Sequence, residues 1–313
     1  MTGCGSMIKK LFIYLIVCSV CFIQLNCNEE KNNEGPKYEA YNVNSPGDSE
    51  NIIRFAIYPL FNPVKMNTLY QPLISYLDEK LNDKRVILES SRDYSAYEEK
   101  IRSGKPDILL LNAWQTLIAL KNGYEVIVTA GDPKDSRGIF IARKDSLIKK
   151  PADLKGKVVT YPSMTAFAAC IMPQTFLYRQ GIDVNRDITN KYVGSQESSI
   201  MHVYIGESAA GVTWPPPWRA FQKDHPKEAA ALKVVWETPS FINNSVMVRK
   251  DLPAALKKRV KYLLVHLHET DKGRDILSSM ETAYFPVANN RTYDAVRTYI
   301  GVFEKNIRKV ESR

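Results

Sequence analysis

From residue 51 to residue 130 the chain repeats one pattern, a short apolar run and then a helical one, and that repetition limits the folds open to it. "IIRFAIY" reads as a buried strand that ends at Pro59. "TLYQPLISYLDEKLN" carries Leu69, Leu73, Tyr76, Leu77 and Leu81 at helical spacing. "RVILES" is strand-like, "SAYEEKIRSG" is a helix stopped by Gly104, and "PDILLLN" is a second buried strand. "AWQTLIALKNG" is a helix stopped at Gly123, and "EVIVTA" is strand again. Such alternation predicts an α/β fold with a mainly parallel sheet flanked by helices. The later body repeats the logic: "KVVTY", "NKYVG" and "AAGVTW" are strands, separated by helices such as "PQTFLYRQG" and "SSIMHVYIG". Roughly the last 60 residues are helical by pattern, with Leu256, Val260, Leu263, Leu264 and Leu267 on one apolar face.

One echo divides this body. "IFIARKDS" (139–146) and "VMVRKDL" (246–252) are each an apolar strand ending in Arg-Lys-Asp before a helix-forming segment. Read as equivalent strands, they predict two lobes. Residues 51–137 plus 242–313 form lobe 1, and residues 138–241 form lobe 2. The chain then crosses between lobes near Arg137 and again near Phe241. Two crossings make a hinge and a cleft, and clefts at the carboxyl ends of parallel strands are where α/β proteins hold small ligands.

The N-terminus reads differently. "MIKKLFIYLIVCSVCFIQLNC" (7–27) has Lys9 and Lys10 before an apolar core from Leu11 to Leu25, the pattern of an export signal. An uncleaved anchor is the alternative, and Met7 competes with Met1 as the start. Residues 28–50 are polar and rich in Asn, Gly and Pro, a composition that predicts a disordered tether. A cysteine between such segments resembles the lipidated Cys of a bacterial lipoprotein, so Cys27 is the expected anchor on the outer side of a bacterial membrane. Gln24 and Asn26 depart from the usual residues at those positions, and the alternative leaves Cys27 as signal flank. Loss of residues 1–27 removes two lysines and lowers the formal charge from +9 to +7. Basic residues are scattered, so no nucleic-acid surface is indicated. Cys170 is the only cysteine of the body, which rules out an intrachain disulfide there.

The body resembles bacterial substrate-binding proteins of the phosphate, phosphite and phosphonate type, the partners of ABC importers. The resemblance covers roughly residues 51–305. "YQPLISYLDEKL", "SRDYSAYEEKIRSGKPDILLLNAWQ", "GIFIARKDSLIKKPADLKGKVV", "YVGSQESSIMHVYIGESAAGVTW" and "VMVRKDLPAALKKRV" carry it in order and spacing. It implies a two-lobed periplasmic-binding-protein type II fold, each lobe a mostly parallel sheet flanked by helices, that closes like a flytrap on an anion. It implies no catalysis and no cofactor, a monomer, and an ABC permease as partner; a membrane sensor kinase is the alternative partner.

Candidate ligand residues follow from strand exits and from family position. Tyr58 and Phe61 follow the first strand, as pocket wall or as local packing. Tyr94 is a hydroxyl donor or a core tyrosine. Asn112, Trp114 and Gln115 open a helix whose N-terminal N–H groups suit an anion, though Asn112 also suits simple capping. Relatives often carry a Ser-Thr-Ser-Gly-like run where this chain has Ala166, Phe167, Ala168 and Ala169. Ser163 and Thr165 stand just upstream as substitute hydroxyls. Glu197 stands where relatives often place an acid, or it complements the helix dipole. Relatives that bind aminophosphonates often have an aspartate near Thr213, and here Trp214 follows instead. "WPPPW" (214–218) is expected to form a stiff extended connection that holds Trp214 in the pocket and Trp218 in packing. The expected ligand is an oxyanion or small organophosphonate with an uncharged substituent, preferred over aminoethylphosphonate. His202, His225, His266 and His268 lack zinc spacing, so no metal is expected. Asn243-Asn244-Ser245 matches a glycosylation sequon, with little meaning in a bacterial lipoprotein.

Overall fold

The computed structural model describes residues 51–311. The export signal, the tether and Cys27 lie outside the described residues. The first βα units form as the apolar spacing requires: β1 (Ile52–Ile57), α1 (Pro63–Lys80), β2 (Arg85–Glu89), α2 (Tyr94–Ser103), β3 (Ile108–Leu111), α3 (Ala113–Lys121) and β4 (Tyr124–Ala130). Caps fix their ends. The Asp93 side chain accepts from Ala96 N–H at 2.8 Å at the start of α2, and Gly104 closes that helix at φ 66.

The chain then leaves this sheet and enters β5 (Ile139–Arg143), β6 (Val158–Tyr161), α4 (Met172–Arg179), β7 (Thr189–Tyr192) and α5 (Gln196–Tyr204). β8 (Ala210–Thr213), α6 (Pro215–Asp224), α7 (Pro226–Ala230) and β9 (Leu232–Glu237) follow. It returns through β10 (Asn244–Arg249) and ends in α8 (Ala254–Val265), α9 (Asp271–Ser279) and α10 (Asp294–Asn306). Two five-stranded sheets result, with orders β2-β1-β3-β10-β4 and β7-β6-β8-β5-β9. Four strands of each sheet run the same way. The fifth, β10 or β5, runs antiparallel between two of them, so both sheets are mixed.

The echoed segments are these two inserted strands, and they occupy the same fourth place in each order. Their shared ending has a structural cause. Arg143 Nε bonds Asp145 at 2.9 Å, and Arg249 Nε bonds Asp251 at 2.7 Å. The lysine between each pair donates its backbone N–H across to a neighbouring segment at 2.9 Å, Lys144 to Ala231 and Lys250 to Gly123. The two crossings lie side by side: Phe241 N–H reaches Ser136 O at 2.8 Å, and Thr238 N–H reaches Gly138 O at 2.9 Å. Gly138 admits no side chain, because a Cβ there would stand 2.4 Å from Ala168 O. The crossing therefore presses directly on the segment after β6.

The proline run is the one local expectation the structure overturns. Pro215, Pro216 and Pro217 are not an extended connection; they are the first turn of α6. Proline's fixed φ suits a first turn, and its missing N–H removes nothing there, since first-turn amides have no intrahelical acceptor. Trp214 before it is extended, at φ −143 and ψ 166.

Candidate functional site

Four helical segments begin at strand exits that face the gap between the sheets. α3 opens at Asn112, whose side chain accepts from Gln115 N–H at 3.0 Å in a capping box. α5 opens at Ser195, whose Oγ accepts from Ser198 N–H at 3.0 Å. After β6 a wide turn runs over Phe167–Ile171, and its first bond joins Ile171 N–H to Ala166 O at 3.1 Å. The amides of 167–170 thus precede any acceptor in their own turn, the usual situation of an anion-receiving helix start. α6 differs. Its first three residues carry no N–H, and Trp218 N–H bonds Trp214 O at 3.2 Å. This helix start offers an incoming ligand no backbone donor.

Between the sheets these starts enclose a small void. Tyr58, Tyr94, Asn112 and Asn244 line it from the first sheet's side. Ala166–Ala169, Gln196 and Trp214 line it from the second. Its free space is about 10 Å³, room for about one water molecule. Among the described residues, no aspartate, glutamate, lysine, arginine or histidine lines it.

The side chains around the void form a connected set. Asn244 Nδ2 donates to Tyr58 Oη at 2.8 Å. Gln196 Nε2 donates across the gap to Tyr94 Oη at 3.2 Å, while Gln196 Oε1 accepts from Thr213 Oγ1 at 2.8 Å. Asn112 Nδ2 also crosses, to Thr165 O at 3.4 Å. The Tyr58 and Tyr94 rings meet edge to face at 6.1 Å. Both hydroxyls accept one bond and keep a proton to donate. Burial raises both phenols above their ordinary range, for Tyr58 with help from Tyr94 and Tyr70, so they remain neutral donors. The void is a cage of neutral dipoles with one aromatic side, Trp214, where the helix start supplies no backbone N–H.

Of the expected ligand residues, Tyr58, Tyr94, Asn112, Ala166, Phe167 and Trp214 meet at this void. The others stand elsewhere. Glu197 is turned to the surface, 3.4 Å from His225 Nε2; its neighbour Gln196 faces the void, because adjacent helix positions point about 100° apart. Thr213 is fully buried and its hydroxyl is committed to Gln196. Gln115 caps α3 and donates from Nε2 to Glu98 at 3.4 Å. Trp114 packs on the main core, with its indole N–H buried and unpartnered. Ser163 and Thr165, whose hydroxyls lie 3.1 Å apart, line an open groove that adjoins the void at Tyr94. Phe61 lies behind Trp214, with the Lys65 ammonium 4.4 Å from its ring centre. Trp218 stacks on Phe221 at 5.8 Å, in packing.

Gln196 and Asn244 also line the void, and neither is among the expected ligand residues. Asn244 opens the echoed strand β10, and that position was a usable signal. Cys170 is fully buried; burial pushes its thiol up to about 11, while Arg308, 3.4 Å from Sγ, pulls it down. That is an inert thiol, with the character of core rather than of a nucleophile.

A family model described as "ABC transporter, phosphonate, periplasmic substrate-binding protein" matches residues 55–293. A probable ABC transporter phosphite binding protein of Prochlorococcus marinus is 24% identical over 181 residues, 54% of this chain. The match spans 61% of that relative's length. Among solved structures, the Prochlorococcus marinus protein in complex with methylphosphonate superposes with a TM-score of 0.74 at 20% identity, over 82% of this chain and 99% of that one. A binding protein component of an ABC phosphonate transporter from Pseudomonas aeruginosa gives 0.75 at 15% identity, over 82% and 87%. The alkanesulfonate-binding protein of Xanthomonas axonopodis bound to MOPS gives 0.60 at 12%, over 82% and 93%.

Proposed function

Because this chain belongs to the family of periplasmic substrate-binding proteins of phosphonate ABC transporters, we propose that it captures a phosphonate-like or phosphite-like oxyanion between two lobes and delivers it to an ABC importer. The observation that carries this reading is the void itself. Tyr58, Tyr94, Asn112, Asn244 and Gln196 surround it with neutral hydrogen-bonding groups, and the turn at Phe167 adds backbone amides at a helix start. Preorganised dipoles of this kind stabilise an oxyanion without a fixed counter-charge. Backbone amides at 167–170 take the place of the hydroxyls that relatives often carry there.

In this reading residues 51–137 plus 242–313 form one lobe and 138–241 the other, and the paired crossings are the hinge. The ligand's remaining substituent meets Trp214 and the proline-led start of α6, which suits an uncharged group better than an ammonium. Export by residues 7–27, anchoring through Cys27 and action as a monomer complete the proposal. The comparisons return transporter binding proteins, and they give the sensor-kinase alternative no support.

The test is a thermal-shift and tryptophan-fluorescence panel of phosphite, phosphate, methylphosphonate, aminoethylphosphonate and sulfate. Methylphosphonate or phosphite should raise the melting temperature, by about 2.7 kcal/mol of stability at a hundredfold excess over Kd. Aminoethylphosphonate should act more weakly. A response to sulfate alone would place the ligand in another class.

A further inference from the structure

A second cavity lies directly behind the void. The two share Trp214 and Asn244 as a common wall. Beyond that wall Leu60, Phe61, Tyr70, Leu110 and Met280 face Pro216, and Asp135, Asn243, Glu281 and Thr282 add a polar edge. As it stands the cavity holds about 20 Å³ of free space, so entry from the void requires the Trp214 indole to swing aside.

Two features make this more than a packing gap. The first is the direction of the donors. The proline-led start of α6 has no backbone N–H to offer, so the void's hydrogen-bonding groups come from its other segments, Asn244 in the shared wall included. An oxyanion held by those donors turns its fourth substituent toward Trp214. The second is how the far wall is held. Glu281, in that wall, has φ 52 because it closes α9 in a Schellman turn, with Thr282 N–H on Leu277 O at 3.0 Å and its own N–H on Ser278 O at 3.1 Å. Glu281 Oε2 accepts from Arg219 Nε at 2.8 Å and its other oxygen pairs with Lys223, both on α6. Arg219 also grips Asp135, at 2.8 and 3.0 Å, beside the crossing. The helix that begins at Trp214 and the far wall of the cavity are therefore fastened together.

We propose that this cavity is a subsite for the apolar substituent of an organophosphonate, with Trp214 as the movable partition between phosphonate and tail. The substrate class is alkyl- or arylphosphonates with a tail longer than methyl. This rests on the oxyanion reading of the void, and the experiment separates the two.

Methyl-, butyl- and phenylphosphonate are titrated by calorimetry into the wild-type protein, Ala130→Leu and Met280→Ala. Ala130 and Met280 line the cavity and not the void, so the first change fills it and the second widens it. In the wild type each methylene beyond methyl should tighten binding about three- to fourfold, as apolar burial predicts. Ala130→Leu should abolish that gain and leave methylphosphonate within about twofold, because side-chain volume in a packed site is felt locally. Met280→Ala should shift the preference toward phenylphosphonate, and it decides the matter if Ala130→Leu fails to fold. Methylphosphonate binding with no gain for butyl or phenyl, or a gain insensitive to both substitutions, overturns the subsite and leaves the oxyanion reading standing. Absence of binding by all three overturns both.

Discussion

Gln196 and Glu197 stand side by side at the start of α5, and only the amide faces the void. Gln196 bonds Tyr94 across the gap and satisfies the buried Thr213 hydroxyl. Gln196→Ala should leave that hydroxyl unpaired and cost about 1–3 kcal/mol of stability by denaturant unfolding, with weaker ligand binding. Glu197→Ala should change neither by a measurable amount, since its partly exposed contact to His225, at 3.4 Å, is of the kind worth little. Equal effects from the two would mean that the void is not the site. The sequence points to Glu197 at this strand exit, as ligand residue or as complement to the helix dipole, and in the structure its neighbour Gln196 lines the void. Nothing in a single sequence says which of two neighbours at a helix start turns inward; the packing of α5 on its sheet decides it. Tyr58, Tyr94, Asn112 and Trp214, expected from strand exits and a cap that have local signatures, line the void. Phe61 and Ser163 flank the same exits and line the adjoining spaces.

The α6 element shows where local rules mislead. Three prolines exclude a helix interior but not a helix start, and the reading of an extended connection overlooked the first turn. α2 gives a test at this scale. Its Glu98 is buried, with Gln115 Nε2 at 3.4 Å. Desolvation raises its carboxyl above the ordinary 4.5, against weaker opposing bonds from Thr165 and Gln115. A raised acid favours folding while protonated, and that favour is lost as pH rises through the folded value. Wild-type stability relative to Glu98→Gln should therefore fall from about pH 4.5 upward until Glu98 ionises in the folded state, and then level off. Denaturant melts across that range check it. A difference that grows in the wild type's favour as pH rises would contradict the burial argument.

At the scale of the whole molecule the echo of β5 and β10 was the most informative feature of the sequence. Both are the inserted antiparallel strands, each ending in an arginine that bonds an aspartate two residues on. The mixed character of the sheets was not legible, because apolar periodicity carries no strand direction. Cys27 lies outside the described residues, and its role is tested in cells. Cys27→Ser should release the protein from the membrane fraction or leave it as an unprocessed precursor; unchanged fractionation and processing would remove the lipid anchor from the account. The central claim is that a cage of neutral dipoles between two sheets holds a phosphorus oxyanion. Calorimetric titration of methylphosphonate into the purified wild-type protein tests it most directly. The account predicts saturable binding of one ligand per chain, lost or weakened in Gln196→Ala. No binding heat from methylphosphonate, phosphite or phosphate, with the protein folded, would contradict it.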